Sequence, residues 1–235
     1  MAKEFIRDDG RKFDELRPIK AKVGIIPNAD GSAMFQFGDT IAIAAVYGPK
    51  EHHPRNQRNL EKGTLRCTYN MLSFSVEDRI KPGPSRRSTE ISKITEWALE
   101  PVLMIDKYAT MVIEVNIQIL QASASTRCAG INAAAMALAH AGIPMKDIVS
   151  SVSVGKIDKQ LVLDVNKYED SVFDEGEGST DIPITFTSNG EITHFQLDGK
   201  ITNKQLKEAI ELARKASKKI YEIQKKALKE TGENN

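Results

Sequence analysis

The chain has 235 residues, enough to bury the core of one large or two small domains. Its 33 lysines and arginines balance 32 acidic residues, which excludes a generally basic nucleic-acid binder and requires any RNA site to be local. Cys67 and Cys128 stand far apart and have no cysteine or histidine partners at ligand spacing, which excludes a disulfide framework and a zinc finger.

The segment Met1 to Gly10 is charged and lacks an apolar signal core. The most apolar stretch, Cys128 to Ala141, is too short to span a bilayer and is interrupted by Asn132 and His140. A soluble cytoplasmic protein without a membrane partner is expected.

In chain order, apolar runs at Ile19–Val23, Ala33–Phe37 and Ile41–Tyr47 predict strands, with Gly38-Asp39 as the turn between the second and third. Leu65–Phe74 predicts a further strand. After Pro82-Gly83-Pro84, the residues Ile91, Ile94, Ala98 and Val102 recur at helical spacing and predict a helix from about Ser88 to Leu103. From Met111 the alternation is clean: Ile113, Val115, Ile117 and Ile119 share one face, and Glu114, Asn116 and Gln118 the other. This strand leads through Gln121–Ser125 into a predicted helix, Thr126–Ala141, closed by Gly142 and Pro144.

Strands are predicted at Ile148–Val154 and Gln160–Val165 around a turn near Asp158, and at Ile182–Thr187 and Ile192–Leu197 around Ser188-Asn189-Gly190. The capping-box pattern Thr202-x-x-Gln205 opens a long amphipathic helix bearing Leu206, Ile210, Ala213, Ala216, Ile220 and Ile223 on one side. These elements predict an α+β fold, mixed sheets packed with three main helices in two lobes. The expected lobes are 17–144 and 147–228, with a disordered tail at 229–235. No internal repeat is visible.

Three clusters are candidates for chemistry. In Gln121-Ala-Ser-Ala-Ser-Thr-Arg127, the Ser125 and Thr126 hydroxyls, free backbone N–H groups and Arg127 could converge on an anion, phosphate foremost. Capping of the helix by Ser125 or Thr126 is the plain alternative. Arg127 favours the anion, because a cation in a first helical turn opposes the macrodipole. Arg86 and Arg87 lie at the next helix start with the same peculiarity, although adjacent arginines are commonly just solvated surface.

The acidic run Glu169, Asp170, Asp174, Glu175, Glu177 and Asp181 reads as a solvated loop, or as the source of a carboxylate that donates a proton or holds a metal. The stretch Lys50–Glu90 is locally basic, and Tyr69 within it is either a base-stacking residue or an ordinary strand residue.

Taken in order, these segments resemble the RNase PH family, in particular its catalytic ring subunits of the archaeal exosome. The matching stretches are Arg66–Phe74 with Ser75–Arg79, Pro82–Arg87 with Glu90–Lys93, Gln121–Arg127, Ala141–Met145, Leu163–Asn166 and Glu169-Asp170. The resemblance implies a phosphate-dependent 3′→5′ exoribonuclease that releases nucleoside diphosphates from single-stranded RNA and can run in reverse. Inorganic phosphate, the co-substrate, would be held by Arg87, Ser125, Thr126 and Arg127. Arg66 and Arg86 would bind RNA. Asp170 matches the family's catalytic aspartate and Asp181 a second; both are candidate ligands of a divalent metal, Mg2+.

Implied partners are a related noncatalytic ring subunit, alternating with this one in a hexamer, and RNA-binding cap subunits. Family members usually carry an Asp after Gln-Ala and at least one Gly before the Thr-Arg pair. Here these positions are Ser123, Ala124 and Ser125, which reduces the loop's backbone freedom. The segment between Asp170 and Asp181 is longer than usual, and Thr68 replaces a second arginine. A noncatalytic RNA-binding ring subunit is the alternative reading. A Walker-type phosphotransferase lacks its glycine-lysine pattern.

Overall fold

The alternating apolar residues of the first half build one sheet. The computed structural model describes residues 7–157, 160–172 and 180–232, the side chains of 170–172 and 231–232 excepted. Its first sheet contains β1 (Ile19–Val23), β2 (Gly31–Phe37), β3 (Thr40–Glu51), β4 (Thr64–Met71) and β5 (Met111–Gln121), in the order β1-β2-β3-β5-β4. Every pairing is antiparallel except β4 with β5. That parallel pair needs a crossover, and α1 (Arg86–Leu99) lies on it. Ile113, Val115, Ile117 and Ile119 are all fully buried, as the alternation predicts.

The boundaries of β4 and α1 differ from expectation. β4 stops at Met71, because the Ser75 N–H turns back to the Leu72 carbonyl at 2.9 Å and leaves Phe74 exposed. The helix α1 begins at Arg86, before the expected Ser88: the Ser88 N–H donates to Ser85 Oγ (3.0 Å) and the Ser85 N–H to Ser88 Oγ (2.8 Å), a reciprocal box that places both arginines in its first turn. It ends at Leu99, since Pro101 has no N–H to continue the ladder.

The second sheet is antiparallel, in the order β7-β6-β8-β9, from β6 (Ser150–Ile157), β7 (Gln160–Leu163), β8 (Thr180–Phe186) and β9 (Ile192–Phe195). The turn expected near Asp158 lies outside the described residues. Between the two sheets runs α2 (Thr126–His140), with every residue from Cys128 to Leu138 buried, as befits a helix that is apolar all round. Small residues permit this. A Cβ on Gly31 of β2 would collide with the Ala137 carbonyl, and one on Gly130 would lie 3.2 Å from Ile117 Cγ2.

Within the acidic run, α3 (Lys167–Val172) is a helix where a solvated loop was expected. Its start carries a local signal, Asn166-x-x-Glu169: the Asn166 N–H donates to Glu169 Oε2 (3.0 Å) and the Glu169 N–H to Asn166 Oδ1 (2.9 Å). Glu169 is fully buried and pairs bidentately with Arg7 at 2.7 and 3.0 Å. Finally α4 (Asn203–Gly232) packs Ala209, Ala213, Ala216 and Ile220 on the core and runs past Lys229, where a disordered tail was expected. Asn132 of α2 ties the layers together. Its side chain bonds both the N–H and C=O of Ser151 (2.8 Å each) and accepts from Gln224 of α4 (3.2 Å).

Among the described residues, no helix is long and apolar enough to cross a membrane.

Candidate active site

The strand β5 delivers the chain into a loop, 122–125, at the N-terminus of α2. Ala124 and Ser125 both adopt left-handed backbone, at φ +55° and +54°, which costs a non-glycine residue about 1–2 kcal/mol each. Ser125 occupies the N-cap position, yet its side chain caps nothing. Its hydroxyl donates instead to Asp164 Oδ1 at 3.2 Å. The capping alternative therefore fails for Ser125, whose hydroxyl is turned to Asp164. What α2 presents is its uncapped first turn, a favourable place for an anion.

Facing that turn is a cavity of about 60 Å³, several times the roughly 10–15 Å³ that one water needs. Its lining combines Arg87 from α1, Ser125, Thr126 and Arg127 from the start of α2, and Ser153 and Asp181 from β6 and β8. Two helix starts bearing arginines thus meet at one point, as the charge pattern suggested. Arg127 Nη1 donates to the Gln196 side-chain carbonyl, which aims the guanidinium.

Asp181 accepts a hydrogen bond from the Ser153 hydroxyl. Burial raises its pKa above the ordinary carboxylate value, while the Ser153 bond and the charges of Arg127 and Arg87 pull the other way. Among the described residues it has no salt bridge. A half-buried carboxyl of raised pKa beside two cations is suited to hold and release a proton.

Arg86 and Arg87, neighbours in sequence, diverge in space. Arg86 lines a separate groove of about 830 Å³ between α1 and β9, with Ile94, Trp97, His194, Phe195 and Gln196. The imidazole of His194, lowered to about 4 by burial and by Arg127, stays neutral there.

Arg66 is not at the pocket. It pairs across β5 with Glu114 (3.2 Å) and contacts His52 Nε2 (2.9 Å). Glu114 precedes the loop end of β5 by seven residues, roughly 23 Å along the strand at ~3.3 Å per residue. Tyr69 is 2% exposed and so packs in the core, not against a base. The structure describes the backbone of Asp170 within α3, while its side chain lies outside the described residues, as do Asp174, Glu175 and Glu177. Among the described residues, no group of three or more His, Cys, Asp or Glu could hold a metal.

The sequence reading missed Ser153, Gln196, Arg17, Thr40 and Asp164. Only Ser153 carries a local signal, as part of the polar Ser150-Ser151-Val152-Ser153 run in a strand that is buried throughout.

Comparisons with known proteins identify the family of this fold. Residues 15–144 match the 3′ exoribonuclease family, domain 1, and residues 147–216 match domain 2 of the same family. The chain belongs to this family, the RNase PH type of 3′ exoribonuclease. It is 50% identical over 225 residues to the exosome complex component Rrp41 of Thermococcus kodakarensis, covering 95% of this chain and 88% of that one. To the Methanopyrus kandleri protein of the same name it is 45% identical over 231 residues, covering 98% and 95%. The Methanosarcina mazei Rrp41 is longer: at 46% identity over 95% of this chain, the match spans 44% of that protein.

In fold, the chain is similar to rice Rrp46, with a TM-score of 0.82 at 25% identity over 94% of this chain and 100% of the other. A chain of the Archaeoglobus fulgidus exosome with RNA bound to the active site gives a TM-score of 0.80 at 22% identity, covering 92% of each, a likeness of fold.

Proposed function

We propose that the protein degrades RNA from its 3′ end by phosphorolysis, as a catalytic subunit of an exosome. The observation that carries this reading is the convergence of Arg87, Arg127 and the uncapped start of α2 on one small cavity beside Asp181. Inorganic phosphate seated there has its charge offset by two guanidinium groups and by backbone N–H donors, which lets it approach an anionic phosphodiester. A phosphate oxygen forms a bond to the terminal phosphorus, the bond from that phosphorus to the 3′ oxygen of the preceding nucleotide breaks, and the products are a nucleoside 5′-diphosphate and an RNA one nucleotide shorter. Asp181 donates the proton that the leaving 3′ oxygen takes up. Arg86, in the groove between α1 and β9, holds the RNA end.

Arg66, far along β4, engages the strand upstream. The relatives' names, exosome complex components, support assembly with other exosome subunits; the resemblance implies a ring partner and RNA-binding cap subunits among them. Magnesium, which the resemblance implies, would be held by Asp181 together with Asp170 and would offset phosphate charge there; no step above is routed through it.

The deciding experiment incubates end-labelled single-stranded RNA with the protein, alone and assembled with its exosome partners, with and without inorganic phosphate. Nucleoside diphosphates formed only when phosphate is supplied are the expected result. Nucleoside monophosphates released without phosphate would overturn it.

A further inference from the structure

We propose that Arg17, Thr40 and Asp164 are positioning residues that hold the loop before α2 in its anion-binding shape, an inference that rests on the phosphate reading above. The loop needs such help. Ala124 and Ser125 lie in the left-handed region, φ +55° and +54°, which glycine enters freely and residues with a Cβ do not. No glycine occurs anywhere from Gln121 to Arg127, so the conformation is imposed by neighbours.

Three segments impose it. The Thr40 hydroxyl, at the start of β3, donates to the Ala124 carbonyl at 2.8 Å and accepts from the Ser123 N–H at 2.9 Å. Arg17 Nη1 donates to the Ser123 carbonyl at 2.5 Å. Asp164 accepts from the Ser125 hydroxyl at 3.2 Å. Asp164 also binds Arg17, through Nε at 2.9 Å and Nη2 at 2.6 Å, so the two buried charges neutralise each other. All three residues are at most 6% exposed, and none of them lines the cavity. They touch the loop and not the anion.

The consequence is quantitative. A loop held in its competent shape binds with the full affinity of that shape, whereas one that visits it a tenth of the time binds about tenfold less tightly. Thr40→Val removes the hydroxyl's bonds to Ala124, Ser123 and Arg17 at nearly constant volume. In the full chain, Kd for inorganic phosphate by calorimetry and KM for phosphate in RNA phosphorolysis should both rise roughly tenfold, while kcat at saturating phosphate stays within about twofold. Adding Ala124→Gly to that variant relaxes the left-handed requirement and should return KM to within about threefold of the parent.

A second pair needs no change in the clamp: Ser125→Ala and Ser125→Gly both lose the bond to Asp164, and only glycine keeps easy access to φ +54°. The glycine variant should bind phosphate roughly fivefold more tightly than the alanine variant. An unchanged phosphate KM in Thr40→Val, a rise that Ala124→Gly does not reverse, or equal binding by the two Ser125 variants would each overturn the proposal. A parent chain that binds no inorganic phosphate would instead overturn the assignment of the pocket itself, before any variant is compared.

Discussion

Replacing Asp181 by asparagine removes one titratable proton and one charge, and keeps both the side-chain shape and an acceptor for the Ser153 hydroxyl. Burial holds the Asp181 carboxyl above its usual value of 3.8, against the pull of Ser153, Arg127 and Arg87. A carboxyl whose pKa is higher folded than unfolded favours the native state below the unfolded value and loses that contribution as pH rises through the folded value. Above the folded value the carboxylate carries its desolvation cost, and a neutral amide carries no such cost at any pH. Loss of a general acid lowers turnover by about 10²–10⁴-fold, and that drop is expected in kcat at saturating phosphate. The thermal midpoint at pH 7 should not fall by more than about 2 °C, because ~1 kcal/mol moves it by ~2–4 °C in a chain of this size. The midpoints of the two proteins should draw together as pH falls below the usual carboxylate value of 3.8, since the parent carboxyl takes up its proton on the way down. Steady-state release of nucleoside diphosphate and calorimetric melting across pH read both effects. A variant that keeps more than about a tenth of its turnover refutes proton donation by Asp181 and moves the role to Asp170.

Arg127→Ala should raise KM for phosphate by about 10–100-fold, the factor that corresponds to one charge-assisted contact of roughly 1.5–3 kcal/mol, in steady-state phosphorolysis. Arg66→Ala should leave phosphate KM unchanged and weaken retention of long RNA, lowering the slope of log affinity against log salt by about 0.7 in filter binding. Asn132→Ala strands the Ser151 N–H and C=O, while the Gln224 amide keeps the Val149 carbonyl. At ~1–3 kcal/mol for each stranded buried group, the loss is about 2–6 kcal/mol, and the calorimetric midpoint should drop by roughly 4–24 °C.

Much of the fold was legible because local periodicity and burial coincide. The β5 alternation and the apolar residues of α2 can be read without knowing their partners. What escaped was nonlocal. Glu169 belongs by sequence to a charged run, but it is buried because Arg7, 162 residues away, neutralises it. The left-handed pose of Ala124 and Ser125 depends on Thr40 and Asp164, so inspection of the loop alone suggests an ordinary cap. Arg66 sits in the same basic stretch as Arg87, yet linear proximity cannot tell which end of a strand a residue occupies. By contrast, α3 was readable: Asn166-x-x-Glu169 is a start signal that the density of acidic residues obscured.

The pocket depends on the seam between the two family-matched segments, since Arg87 and Arg127 come from the first and Ser153 and Asp181 from the second. On α2, Asn132 follows Arg127 by five residues, about 7.5 Å along the axis, and it is pinned to both backbone groups of Ser151. Ser153 lies two residues further along β6, so it faces the same side of the sheet and meets Asp181 there. One side chain therefore sets the register of α2 against β6, and with it the placement of Arg127 relative to Asp181. The alanines of α2, buried against both sheets, are the other half of this arrangement: a larger residue at Ala133 or Ala134 would separate the layers and widen the gap between Arg127 and Asp181. Core and pocket are thus coupled through the buried helix, and damage to its core should appear as a distorted pocket before the fold is lost.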